Sequence, residues 1–157
     1  MKITLDTNVL VSAFISRDGQ SAALLNTILT LPEIQLVLSE PILAEFKDVL
    51  SRPEVRERFR YSTRDIEQFV DALRSASKMV VPTSDFKVVG EDPKDDSVID
   101  TAYDGKVDYI VSGDSHLQRL RCFRGIRIVK PRGMLNIIIG RLGGFIIPER
   151  ELDKPQM

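Results

Sequence analysis

Asp6 closes the apolar run Ile3-Thr4-Leu5 and opens Asp6-Thr7-Asn8, so a carboxylate stands where a buried strand would emerge. A charge there is costly unless it is paired or binds a cation. Further acidic residues recur at Glu45, at Asp92, Asp95 and Asp96, and at Asp114. Carboxylates that converge without a cation repel one another, which raises their pKa values and costs stability. Mg²⁺ or Mn²⁺ relieves that repulsion, because both take carboxylate and water oxygens as ligands. Such a site can activate water and stabilise the leaving oxygen in phosphodiester cleavage. Competing chemistries lack their residues. The chain has one histidine, His116, and one cysteine, Cys122, too few for a zinc cluster or an internal disulfide. Neither a phosphate-binding glycine loop of the P-loop type nor a Gly-x-Ser-x-Gly elbow is present.

Each carboxylate also has a local reading. Asp6-Thr7-Asn8, and Asp114 after Gly113, are residue types that cap helices and form turns. Glu45 lies three residues after Ile42 and four before Val49, at the margin of an amphipathic stripe where exposure is the default. Asp95 stands three, four and seven residues before Val98, Ile99 and Ala102, which puts it at the start of an inward helical face. Asp96 is rotated ~100° from it, toward solvent or the rim of a site. Asp92 precedes Pro93 and suits a helix cap, and aspartates at a helix start also interact well with its dipole. The joint reading is the stronger one, with Asp95 favoured as the third carboxylate and Asp96 and Asp92 as alternates.

The elements that would position these residues follow from periodicity. Strands are expected over Ile3–Leu5, Gln35–Leu38, Met79–Val81, Tyr109–Val111 and Ile126–Val129. Helices are expected over Ser21–Leu31, Pro41–Leu50, Ser62–Ser77, Asp95–Tyr103 and Met134–Leu142, with short ones after Pro53 and over Leu117–Leu120. Pro41 fits a first-turn proline, and Ser62 or Thr63 is placed to cap the helix that follows. Alternation of strands and helices implies a parallel α/β sheet with helices on both faces. Ligands of such sheets bind outside the carboxyl ends of the strands, where Asp6 and Asp114 fall.

A chain of 157 residues, 43% apolar and 29% charged, is expected to form one globular domain with a core of its own. That domain spans residues 1–142, and the Gly-, Pro- and charge-rich segment 143–157 reads as a flexible tail. Asp6 interrupts the opening apolar run too early for a signal peptide, and no stretch approaches the ~18 apolar residues of a membrane helix. A cytoplasmic protein without a membrane partner is therefore expected. Net charge is −1, but its distribution is uneven. Six basic residues against three acidic lie from Lys47 to Arg64, and six basic against none from Arg119 to Arg132. The sign reverses from Asp85 to Asp104, with seven acidic residues against two basic. Acidic and basic surfaces side by side suit a metal-dependent enzyme acting on a polyanion.

Four stretches then resemble, in order, the motifs of the PIN-domain family, of the kind found as VapC-like toxins in bacterial and archaeal toxin–antitoxin pairs. They are Leu5-Asp6-Thr7-Asn8-Val9-Leu10, Ala44-Glu45-Phe46 after Ser39-Glu40-Pro41, Asp92-Pro93-Lys94-Asp95-Asp96, and Asp108-Tyr109-Ile110-Val111-Ser112-Gly113-Asp114. The resemblance implies a single three-layer α/β/α domain and a Mg²⁺- or Mn²⁺-dependent ribonuclease. Its carboxylates would be Asp6, Glu45, Asp95 and Asp114, with Asn8 orienting Asp6 or a metal-bound water. Ser112 stands where the family usually has threonine, and its hydroxyl can still bond a site carboxylate. His116 stands where many members carry a further acidic residue, a departure that bears on whether one ion or two is held. RNA as substrate, an antitoxin as partner, and a homodimer or higher oligomer are the implied associations. Two alternatives stay in view: a non-catalytic PIN-like module that binds RNA or protein, and a phosphoaspartate protein of the receiver or phosphatase kind. A phosphatase would want a second aspartate where Asn8 stands.

Overall fold

The computed structural model describes residues 1–87 and 93–142, with residues 93–96 described by their helical backbone. Strand β1 (Lys2–Leu5) leads into helices α1 (Thr7–Ile15) and α2 (Gln20–Thr30). Strand β2 (Gln35–Leu38) leads into α3 (Glu40–Ser51), α4 (Pro53–Phe59) and α5 (Thr63–Ala76). A two-residue β3 (Lys78–Met79) precedes α6 (Pro93–Asp104), and β4 (Tyr109–Val111) precedes α7 (Ser115–Leu120). The hairpin β5 (Cys122–Phe123) and β6 (Ile126–Val129) ends in α8 (Pro131–Arg141). The strands form one sheet in the order β3-β2-β1-β4-β6-β5.

All pairings are parallel except β5 with β6. The expected α/β sheet flanked by helices is therefore present, with one antiparallel edge added. Its central strands are short and apolar because both faces are covered. Ile3, Leu5, Leu36, Leu38, Ile110 and Val111 are buried. α6 packs on β1, β2 and β4, while α2 packs against β2, α1 and α8. Thr4 is the polar exception within β1, and its hydroxyl donates to the Val37 carbonyl at 3.0 Å. Helix α3 contributes Ile42, Leu43, Phe46 and Leu50 to the core, so the apolar stripe over residues 42–50 is used inside the domain.

Three differences from the sequence expectations have physical reasons. Residues 7–15 form a helix that periodicity did not single out, because Val9-Leu10-Val11 reads equally as a strand; Val9, Leu10 and Ala13 supply its buried stripe. β3 ends at Met79, since only the Val80 amide continues the pairing, to the Leu38 carbonyl, and Val81 is 84% exposed. The hairpin β5–β6 turns on Arg124 and Gly125 at φ 47° and 85°, the left-handed pair that a two-residue turn needs. α5 starts as expected from Ser62, whose hydroxyl accepts the Asp65 amide while the Asp65 carboxylate accepts the Ser62 amide. The tail expected over residues 143–157 lies outside the described residues.

Gly105, at the end of α6, sits against β2. A Cβ there would come 2.6 Å from Val37 Cγ1 and 2.9 Å from the Thr101 carbonyl oxygen. Gly105→Ala is expected to destabilise the domain by about 1–3 kcal/mol through overpacking, read as a lower urea midpoint with an unchanged m-value.

Candidate functional site

The carboxyl ends of β2, β1 and β4 lie side by side, and there the chain turns into α3, α1 and α7. Leu5 pairs with Val111 in register, so the next residues, Asp6 and Ser112, emerge together. The Ser112 hydroxyl donates to Asp6 Oδ2 at 2.6 Å in a buried hydrogen bond. Asp6 occupies the cap position of α1, yet its side chain makes no capping hydrogen bond. Its carboxylate is turned across the sheet, and the local cap reading fails for it.

Asp114 does cap its helix. Its Oδ1 accepts the His116 amide at 2.8 Å and the Leu117 amide at 3.2 Å. The two residues are linked through Ser112, whose hydroxyl oxygen also accepts the Asp114 amide at 3.0 Å. The Gln118 side-chain amide donates to the Ser112 carbonyl and fixes that turn from α7. Glu45 is half-buried, at the margin of the α3 stripe where its spacing put it. Thr7, buried in the first turn of α1, donates from its hydroxyl to Glu45 Oε2 at 3.0 Å. Thr7 and Gln118 were not singled out from sequence. Thr7 was visible only as a turn-forming residue beside Asp6, and nothing local marked Gln118.

Burial drives the Asp6 pKa from its ordinary 3.8 to about 6. The Ser112 hydroxyl and the Thr7 amide oppose that rise, while the negative charges of Glu45 and Asp114 add to it. These three carboxylates therefore share one electrostatic neighbourhood. Among the described residues no group of three acidic, histidine or cysteine side chains is close enough to hold a metal ion by itself. Carboxylate oxygens are hard donors, which would suit Mg²⁺ or Mn²⁺ rather than a soft metal. An ion there would also offset the repulsion that adds to the rise burial causes at Asp6.

Asn8 lies in the first turn of α1 and is exposed. The side chains of Asp95 and Asp96, expected to supply the third carboxylate, lie outside the described residues, as does Asp92. α6 carries positions 95 and 96 in its backbone, and Val98, Ile99 and Ala102 are buried as their spacing required. Two other members of the acidic run serve a different purpose. Asp104 accepts the Thr83 and Ser84 amides and the Ser84 hydroxyl, and Asp100 accepts the Phe86 amide. They bind the 83–86 segment to α6. The Ser84 hydroxyl is the main reason that Asp104 keeps a lowered pKa.

The model of the PIN domain family matches residues 2–116. An uncharacterised protein of Methanocaldococcus jannaschii is 31% identical over 121 residues, which are 77% of this chain and 76% of that protein. A chain from the crystal structure of VapBC2 of Rickettsia felis, bound to a DNA fragment from their promoter, superposes with a TM-score of 0.56. That likeness covers 82% of this chain and 97% of the other at 14% identity, and it is a likeness of fold.

The raised Asp6 pKa has a thermodynamic consequence. Between pH 4 and 6 the folded protein keeps a proton that the unfolded chain has released, so stability falls as pH rises through that window and stays low above it. In EDTA, urea titrations are expected to show a loss of up to about 3 kcal/mol across those pH values. Asp6→Asn removes the loss, and near neutral pH it leaves the metal-free protein more stable than the parent. A wild-type profile no steeper than that of Asp6→Asn contradicts the assigned electrostatics.

Proposed function

Because the chain belongs to the PIN domain family, we propose that it is a divalent-metal-dependent ribonuclease, an endonuclease acting on RNA phosphodiesters. The observation that supports the reading is the buried Asp6 carboxylate at the carboxyl edge of the sheet, held by Ser112 and lifted in pKa by burial, with the charges of Glu45 and Asp114 adding to the rise. Membership of this family sets the phosphoaspartate alternative aside.

Asp6, Glu45 and Asp114, joined by Asp95 or Asp96, would hold Mg²⁺ or Mn²⁺. When bound, such an ion supplies a water nucleophile of lowered pKa and offsets the charge that builds on the phosphodiester. The chain's own residues set the geometry. Ser112 orients the Asp6 carboxylate and Thr7 orients Glu45, so neither acid rotates freely. Asp114 spends Oδ1 on the α7 amides and, among the described residues, keeps Oδ2 for the site. Asn8 is exposed beside Asp6 and is available to a substrate or a solvent molecule. The basic runs over residues 47–64 and 119–132 supply phosphate-neutralising charge on flanking surfaces.

The biological setting we infer is a cytoplasmic toxin that pairs with an antitoxin and assembles as a homodimer or higher oligomer. Its support is the fold shared with a chain of the VapBC2 complex. No helix among the described residues is long and apolar enough to cross a membrane. A non-catalytic RNA- or protein-binding module is the second reading.

Cleavage of single-stranded RNA by the purified chain decides between them. Activity is expected with Mg²⁺ or Mn²⁺, is expected to be lost in EDTA, and falls to background in Asp6→Asn, Glu45→Gln and Asp114→Asn. Full metal-dependent cleavage by folded Asp6→Asn would sink the nuclease reading, and RNA binding without turnover in Mn²⁺ favours the binding module. Ser112→Ala keeps every carboxylate but removes the hydroxyl that orients Asp6. It is expected to weaken metal affinity or activity by roughly 10- to 100-fold.

A further inference from the structure

A cavity of about 610 Å³ opens between α1, α2, α4 and α5, and the carboxylate site does not use it. That volume suits a ligand of nucleotide size. Phe14, Phe59, Tyr61 and Phe69 line it, together with Arg17 and Arg60. Its back wall is rigid. Phe14 meets Tyr61 and Phe69 edge to face at 5.1 and 5.2 Å between ring centres, and Phe69 stacks on Phe46 at 5.4 Å. The Tyr61 hydroxyl is tied to the Leu50 carbonyl at 2.6 Å.

The mouth differs from the wall. Phe59 ends α4 with 41% of its surface exposed, and the Arg58 guanidinium lies 5.2 Å from its ring centre. Arg17 and Arg60 are exposed, and among the described residues neither forms an ion pair. The lining acid, Asp65, has one carboxylate oxygen committed to the Ser62 amide. Asn26 and Gln68 add amide groups that both donate and accept hydrogen bonds. Asp65 keeps its charge, which the Ser62 amide and the Arg17 charge favour, so the opening is aromatic with two cations against one anion and neutral hydrogen-bonding groups on its sides.

We propose that this cavity receives an unstacked base of single-stranded RNA, with Arg17 and Arg60 on the adjoining phosphates. Aromatic faces bind any base by stacking, and guanidinium groups track the backbone. Phe59 in particular is partly exposed beside arginine, so its ring is accessible to an incoming base. The inference rests on the RNA-cleaving reading and extends it to how the strand is held away from the scissile bond. The two places share their supports. α1 begins beside Asp6 and ends at the cavity with Phe14, about 10 Å further along its axis. In α3, Glu45 faces the carboxylate site while its neighbour Phe46 braces the cavity wall. On the proposal, a strand anchored in the cavity would carry its following nucleotides toward the carboxylates.

The test is binding without turnover. The 157-residue chain carrying Asp6→Asn is titrated in EDTA into a labelled single-stranded RNA of about ten nucleotides, followed by fluorescence anisotropy, with a duplex of equal length as comparison. Adding Phe59→Ala is expected to weaken single-strand binding by roughly 5- to 100-fold, and adding Arg17→Gln to lower the salt slope by about one. Duplex binding is expected to stay unchanged in Phe59→Ala. Both side chains are exposed, and circular dichroism verifies that each variant folds. Unchanged single-strand affinity in both variants, or no binding by the Asp6→Asn protein, overturns the proposal. Unchanged affinity also leaves the cavity to a protein ligand. If binding depends on Phe59 but the wild-type chain cleaves no RNA in Mn²⁺, the cavity assignment stands and the nuclease reading falls.

Discussion

Ser112 Oγ and Asp6 Oδ2 stand 2.6 Å apart across the seam between β4 and β1, joining positions separated by 106 residues. The contact exists because Leu5 pairs with Val111, which brings the next residue of each strand out on the same edge. A one-residue slip would send the side chains of one strand to the opposite face. Burial of Ile3, Leu5, Ile110 and Val111 excludes that slip, since it would displace the core. The register is thus set by apolar packing, and the site inherits it.

The same core sustains an unfavourable arrangement. Asp6 is 4% exposed, so burial disfavours its charge and the charges of Glu45 and Asp114 add to that cost; the ionised, metal-free site opposes folding. Natural domains tolerate such regions when the surroundings over-determine them. Here α1 and α3 do so by serving two purposes along their length. Thr7 and Glu45 meet at one place, while Phe14 and Phe46 pack in the aromatic cluster. An ion at the carboxylates would turn repulsion into binding energy and stabilise the fold by mass action.

Much of this was legible in the residues. The apolar runs marked most of the sheet, the amphipathic spacing of α3 and α5 marked their buried faces, and Asp6 and Asp114 fell at strand ends. Residues 7–15 were not legible as a helix, because a short β-branched apolar run has no period that separates helix from strand. The β5 edge was missed although Arg124-Gly125 is a two-residue turn signal, since two residues of strand carry too little pattern. Local rules also treated Asp6 and Asp114 alike as caps. Only Asp114 caps; the Asp6 carboxylate accepts instead from Ser112, just past the end of a distant strand. The acidic run over 85–104 read as one patch, yet Asp100 and Asp104 spend their oxygens on backbone amides.

By itself the sequence determined which atoms are available: hard oxygen donors, a single histidine and cysteine, basic runs, and an alternation that yields an α/β sheet. Those follow from composition and from periods of two and 3.6 residues, which are local properties. Tertiary structure decided which oxygens meet. Ser112 with Asp6 and Thr7 with Glu45 depend on strand order and helix packing. No short-range rule encodes them, because each pair is brought together by burying apolar surface elsewhere.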